Sequence, residues 1–231
     1  MMDTRDEIYF ATLHQLSDLS VYIAVTIPSN NIKSPSSLIG IQDFIMAKDF
    51  PKLEDKHSAF IKRQHMFFTA SAANDAHINI SPRSTDYFKI VDANEVIYLD
   101  RTGSGNETAA HLKADGRMTI MFCAVEGPPQ ILRLYGKGEI IHRDTDEYTT
   151  LIAQYFNNEA PMGARQIVRL KFHLVKTSCG YGVPLFEYKD ERASIDNWEQ
   201  NKGPEGIANY WAEKNQVSMD GLPTGIFDEH E

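Results

Sequence analysis

The feature that most constrains this chain is an alternation over residues 165–176. Val168, Leu170, Phe172 and Leu174 alternate there with Arg169, Lys171 and His173. A period of two fits a strand with one face buried and the other wet. Such a strand needs neighbours to fill its hydrogen bonds. Shorter runs of the same character lie at 66–72, 77–81, 96–100, 117–124 and 131–142, separated by polar or glycine-bearing turns. Six close-set strands with few helices between them predict a small antiparallel barrel, a mainly β fold.

Helices punctuate the sheet. Over 53–65, Leu53, His57, Phe60 and Ile61 share one helical face. Asp144, with Glu147 three residues on, has the spacing of a helix start and predicts a helix to about residue 156. Segments 190–200 and 204–216 read as two helices split by Gly203-Pro204; Ile207, Tyr210, Trp211 and Lys214 form the face that meets the barrel. Residues 1–49 read as an N-terminal extension of unassigned role, with one strand over 19–27 and a polar loop or linker over 30–37. The folded domain is expected over 50–225, and 226–231 form an acidic tail.

Charge and composition narrow the function. A net charge of −9 excludes a broad nucleic-acid surface, because phosphate neutralisation needs clustered Lys and Arg. A small cationic pocket for one phosphate stays open. Cys123 and Cys179 stand far apart, so a reducing compartment is the simpler expectation than a disulfide framework. Neither CxxC nor HExxH is present, and no metal site is expected. No run approaches the ~20 apolar residues of a membrane span. The acidic start fits no leader peptide, so a cytoplasmic location is expected, with nuclear access open. The glycosylation triplets at Asn79 and Asn106 then read as chance.

The segment best suited to chemistry is Leu99-Asp100-Arg101-Thr102-Gly103-Ser104-Gly105-Asn106-Glu107-Thr108. It leaves a strand, passes two glycines and enters a helix that ends near Asp115-Gly116. A helix start offers unpaired N–H groups and partial positive charge, a natural seat for a phosphate. Thr102, Ser104 and Thr108 add hydroxyls, and Arg101 a cation at the rim. Ser104 and Glu107 also have capping-box spacing, which satisfies the helix without any ligand. Both readings stand. The run His77 to Arg83 ends a strand with polar groups that either meet a ligand or serve turn amides. Arg133, between Leu132 and Leu134, either reaches a ligand or faces solvent by alternation. Cys179-Gly180-Tyr181-Gly182-Val183-Pro184 carries a thiol but no visible positioned base, which favours an inert turn over a nucleophile.

Taken in order, these motifs resemble a family. The run from Tyr98-Leu99-Asp100 through Thr102-Gly103-Ser104-Gly105, Glu107-Thr108 and Ala110-His111-Leu112 is similar to a signature of proteins like pyridoxamine 5'-phosphate oxidase. The likeness continues through Gly116-Arg117, Met121-Phe122-Cys123, Glu126-Gly127-Pro128-Pro129 and Ile131-Leu132-Arg133-Leu134-Tyr135-Gly136. It resumes at Ser178-Cys179-Gly180-Tyr181-Gly182-Val183-Pro184 and closes at Glu191-Arg192, Tyr210, Lys214-Asn215 and Ser218-Met219-Asp220-Gly221-Leu222-Pro223. The resemblance implies a six-stranded FMN-binding split β-barrel with C-terminal helices, paired as a homodimer, with FMN (or another flavin, a deazaflavin or haem) in a groove between protomers. Asn79, Ser81, Pro82 and Arg83 would line the flavin ring. Arg101, Thr102, Gly103, Ser104, Gly105 and Thr108 would lie near the ribityl phosphate, and Arg133 joins them as a candidate.

Arg83-Ser84 stand where Lys-Gly is usual, Arg101 where an apolar residue is commoner, and Glu107 where a positive charge is expected. The Trp-Gly and Arg-Leu-His-Asp motifs of the true oxidases are missing. The resemblance therefore implies a flavin-dependent oxidoreductase acting on a small molecule other than vitamin B6. A flavin- or haem-binding, sequestering protein without turnover is the alternative, and an interaction module that has lost its ligand a third.

Overall fold

The computed structural model describes residues 47–229 and two short segments, Tyr9–Phe10 (β1) and Ala24–Val25 (β2). These two pair antiparallel with each other, within a unit that spans Met1–Ile45. Apart from Ala24–Val25, the strand expected over 19–27 and the linker over 30–37 lie outside the described residues.

The other unit, Met46–Glu231, is built on one antiparallel sheet. Its strands are β3 (Lys48–Phe50), β4 (Met66–Ser71), β5 (Asn79–Ser84), β6 (Phe88–Ile90), β7 (Glu95–Arg101), β8 (Arg117–Cys123), β9 (Ile131–His142) and β10 (Ala164–Ser178). All six expected strands are present, and β3 and β6 are short additions. The hydrogen-bonded order is β5-β4-β8-β9-β10-β7-β6, with β3 pairing β10 beyond the end of β7.

Side chains show how far this sheet curls. Phe67 of β4 meets Phe88 of β6, near the opposite end of the path, with ring centroids 4.9 Å apart. Tyr98 of β7 and Phe122 of β8 close on the same ring at 5.3 and 5.8 Å. The inner faces thus wrap one core, while β5 and β6 remain the free edges of the path: a split barrel. The fold is mainly β.

The central strand β10 departs from the simple alternation for two reasons. Its first half is covered on both faces, because Ala164 and Ile167 belong to a second core under a helix while Val168 and Leu170 belong to the barrel core. Two register shifts against its neighbours, at Ala164/Gln166 and Phe172/Leu174, then insert Arg165 and His173 as extra residues. A bulge moves later side chains to the other face. Val175 is therefore fully buried, and Leu174 only partly.

Among the described residues, four helices follow the expected order: α1 (Asp55–Ile61), α2 (Glu107–Ala114), α3 (Asp146–Tyr155) and α4 (Ser194–Lys214). In α1, His57, Phe60 and Ile61 are buried, as their spacing implies. Thr145, not Asp144, caps α3: its hydroxyl accepts from the Tyr148 amide at 3.2 Å. Glu147 is thereby released to an ion pair with Arg169. Gly203, at φ 64, breaks α4 into the two expected segments ahead of Pro204. Ile207 and Trp211 of the second segment are buried against the sheet side, whereas Lys214 stays exposed. Among the described residues, no helix is long and apolar enough to cross a membrane.

Candidate functional site

Where β7 ends, the chain turns from the sheet into α2, and a cavity of ≈ 670 Å³ opens between this turn, β5 and the start of α4. That volume lies in the range of small-molecule sites, about 300–1,000 Å³. Behind its lining lies a network centred on the fully buried Asp100, of which Arg83 and Arg165 reach the cavity. Asp100 Oδ1 accepts from Arg83 Nη1 at 2.6 Å, and Oδ2 accepts from Arg165 Nη2 at 2.9 Å and Gln166 Nε2 at 2.8 Å. Consecutive residues of a regular strand point to opposite faces. Both Arg165 and Gln166 reach one carboxylate because the bulge interrupts the alternation there. Burial would raise the Asp100 carboxyl, but Arg165 and then Arg83 outweigh it and hold the group below the ordinary aspartate range.

The same network fixes the loop. Arg165 Nη1 donates to Gly105 O and to Asn215 Oδ1, each at 2.8 Å. Asn215 Nδ2 donates to Gly103 O at 3.2 Å, and Gln166 Nε2 to Asn106 Oδ1 at 2.9 Å. Thr102 Oγ1 donates to Gly163 O and accepts from Trp211 Nε1, both at 2.8 Å. The turn between β7 and α2 is thus held by β10 and α4, preformed before any ligand arrives. Tyr98 completes the wall. Its hydroxyl is buried beside the Thr69 side chain, burial pushes its ionisation up to about 12, and the Arg83 guanidinium lies 4.8 Å from its ring centre.

The sequence profile described as Pyridoxamine 5'-phosphate oxidase matches residues 53–179, which contain this turn and most of the sheet. A relative in Aspergillus flavus, the pyridoxamine 5'-phosphate oxidase family protein ustO, is 31% identical over 192 residues, 75% of this chain and 76% of the relative. The chain belongs to the pyridoxamine 5'-phosphate oxidase family. Solved structures similar to it include HupZ of Group A Streptococcus, 16% identical, with a TM-score of 0.43 over 53% of this chain and 91% of that one. Another is HutZ, the heme storage protein from Vibrio cholerae, 16% identical, with a TM-score of 0.42 over 56% and 98%.

Within this pyridoxamine 5'-phosphate oxidase family member, Asn79, Ser81, Pro82, Arg83, Arg101, Thr102, Gly103, Ser104, Gly105 and Thr108 all line the one cavity. Arg133 does not: it lies on β9 and donates to Ser178 Oγ at 3.1 Å. Arg101 reaches the rim already engaged, donating to Glu199 Oε1 at 3.0 Å and Asp196 Oδ1 at 2.5 Å. The capping-box spacing of Ser104 and Glu107 is not used. The helix starts at Glu107 with Asn106 as its cap residue, and the Glu107 carboxylate accepts instead from the Met219 amide at 3.1 and 3.2 Å. Asn106 is buried, which leaves its glycosylation triplet no room for a glycan.

Sequence reasoning missed Tyr98, Arg165, Gln166 and Arg192 as members of the wall and of the network behind it. Arg165 and Gln166 carried a signal, two adjacent polar residues that break the alternation at the start of the strand. Arg192 carried one only through the family likeness, as part of Glu191-Arg192.

Proposed function

We propose that this protein binds a flavin, FMN in the first instance, in the cavity between β5 and the β7–α2 turn, and passes a hydride through it between two small molecules in the cytoplasm. The observation that supports this best is the shared wall: Asn79, Ser81 and Arg83 of β5 face the 102–108 turn across one preformed cavity. Tyr98 brings its hydroxyl and ring to the same wall. A bound flavin supplies the two-electron chemistry, and the protein supplies binding, orientation and exclusion of water.

The residues fit the ring better than the phosphate. Arg83 and Arg165 already face Asp100, Arg101 faces Asp196 and Glu199, and Glu107 and Glu191 add carboxylates to the wall. The backbone at the start of α2 and Arg192 at the rim remain to hold a phosphate. Riboflavin is therefore expected to bind within about tenfold of FMN. A second copy of the chain is the proposed neighbour of the free edge strand β5. Ile80 on it and Ile78 just before it are exposed beside the cavity, an apolar edge that a partner would cover.

Titration calorimetry of the full-length chain with FMN, riboflavin, FAD and haem tests the reading, with sedimentation for the dimer. If no flavin binds, it falls. A flavin complex that neither NADH nor NADPH reduces in stopped flow leaves the second reading, a binding protein without turnover. That reading is favoured by the acidic, internally paired wall. Among the described residues, the cavity is lined by no histidine, cysteine or methionine; of the side chains that ligate haem iron it offers only Tyr87 and Tyr98, and burial pushes the ionisation of Tyr98 up to about 12, which favours flavin over haem.

A further inference from the structure

His111 sits on α2 one turn after Glu107 and is fully buried. Its Nδ1 lies 3.0 Å from Ser71 Oγ, while its Nε2 is buried and has no hydrogen-bond partner. A polar ring atom left so is costly and calls for an explanation. Two carboxylates supply one. Glu107, His111 and Asp220 each bring a ligand-type atom within 4.8 Å of the others.

Both carboxylates are held in place from outside the cluster. Residues 217–223 form a tight turn, bridged Val217 to Pro223 and braced by the Ser218 hydroxyl, which accepts from the Asp220 amide at 3.2 Å and the Leu222 amide at 3.0 Å. This turn presents the Met219 amide to Glu107. Asp220 Oδ1 accepts from His77 Nδ1 at 2.7 Å and Oδ2 from the His77 amide at 2.9 Å. Carboxylates fixed by outer partners, around an imidazole whose second nitrogen is already engaged, have the supporting shell of a metal site. With the ring proton on Nδ1 and directed at Ser71 Oγ, Nε2 presents a bare lone pair.

We propose that Glu107, His111 and Asp220 form a binding site for a divalent first-row transition-metal ion of the zinc class. An imidazole selects against Mg²⁺ and Ca²⁺, and two carboxylates without a thiolate suit Zn²⁺, Co²⁺ or Mn²⁺. Metal bonds of about 2.0–2.2 Å require the three ligand atoms to close in from a spacing of up to 4.8 Å, a small adjustment in which each carboxylate keeps its outer partner and turns a second lone pair to the ion. Three protein ligands leave at least one position open to water or to a substrate oxygen. Glu107 also lines the ≈ 670 Å³ cavity, so the open position would lie at its margin. The site stands whether or not a flavin binds.

The test uses the untagged full-length chain, stripped with chelator and free of flavin. Zn²⁺ affinity is measured by calorimetry, and Co²⁺ binding by its visible d–d absorption. One high-affinity ion per chain is expected. Asp220→Asn and Glu107→Gln should each weaken it by at least about tenfold, and His77→Ala by about 10–100-fold through the outer shell. His111→Gln should abolish the Co²⁺ bands; if that variant does not fold, the Asp220 and Glu107 variants decide. Absence of binding in the wild type overturns the proposal. So does Zn²⁺ affinity unchanged in both folded carboxylate variants, which would place the ion on surface histidines.

Discussion

Two groups of charge flank the β7–α2 segment, and they are built in opposite ways. Around Asp100 the account of the carboxylate itself is closed: it receives three donors, from Arg83, Arg165 and Gln166, although Arg165 Nε and Gln166 Oε1 stay buried without a partner. Around His111 it is open, because Glu107 and Asp220 are satisfied from outside while the imidazole between them keeps a buried nitrogen without a partner. A closed network holds a shape, and here it holds the turn that walls the cavity. An open one has coordination to spare. The contrast separates charge that serves the fold from charge available to a ligand.

The largest expected effect lies on the closed side. Asp100→Asn leaves Arg165 and Arg83 facing each other without their anion, and should cost about 3–5 kcal/mol of stability. Urea unfolding at neutral pH reads this directly, and a loss below 1 kcal/mol would show that the network is not the anchor of the turn.

Acid should act on the same group. The Asp100 carboxyl is held below the ordinary range in the folded chain, so its contribution is complete above the unfolded value of about 3.9. It is lost as pH falls through the lower, folded value. Unfolding midpoints followed from pH 7 into this acid range should fall more steeply for the wild type than for Asp100→Asn. Parallel curves would refute the assignment.

Next in size is Gln166→Leu, which removes one donor from Asp100 and the partner of Asn106 Oδ1 together. A loss of about 1–3 kcal/mol is expected, with α2 retained in circular dichroism.

The smallest effect belongs to the open side. Asp220→Asn should lower the metal-free unfolding midpoint only slightly, since Asp220 is half-buried but its partner His77 is exposed to water, which weakens the pair. If that substitution destabilises the stripped protein as much as Gln166→Leu does, the two groups do not differ as described.

Much of the architecture was legible in local order. The alternation of β10, the breaks at Gly203 and Gly116 and the buried face of α1 all follow from periodicity and backbone chemistry over a few residues. The turn 101–108 could be located in the same way, because strand, glycines and helix succeed one another along the chain. What each polar group would meet could not be read there. Ser104 and Glu107 have the spacing of a capping box, yet Glu107 binds an amide 112 residues away. Arg101 looks available at the rim, yet Asp196 and Glu199 claim it from α4.

By itself, then, the sequence determined the mainly β architecture, its family and the position of the turn, since these rest on patterns that neighbouring residues impose on one another. Only the tertiary structure decided which charges are already neutralised and which buried polar atoms are left over. A hydrogen bond or ion pair depends on distance in space, and the partners of Asp100, Glu107 and His111 come from β4, β5, β10 and the turn at 217–223, brought within reach only when the sheet curls.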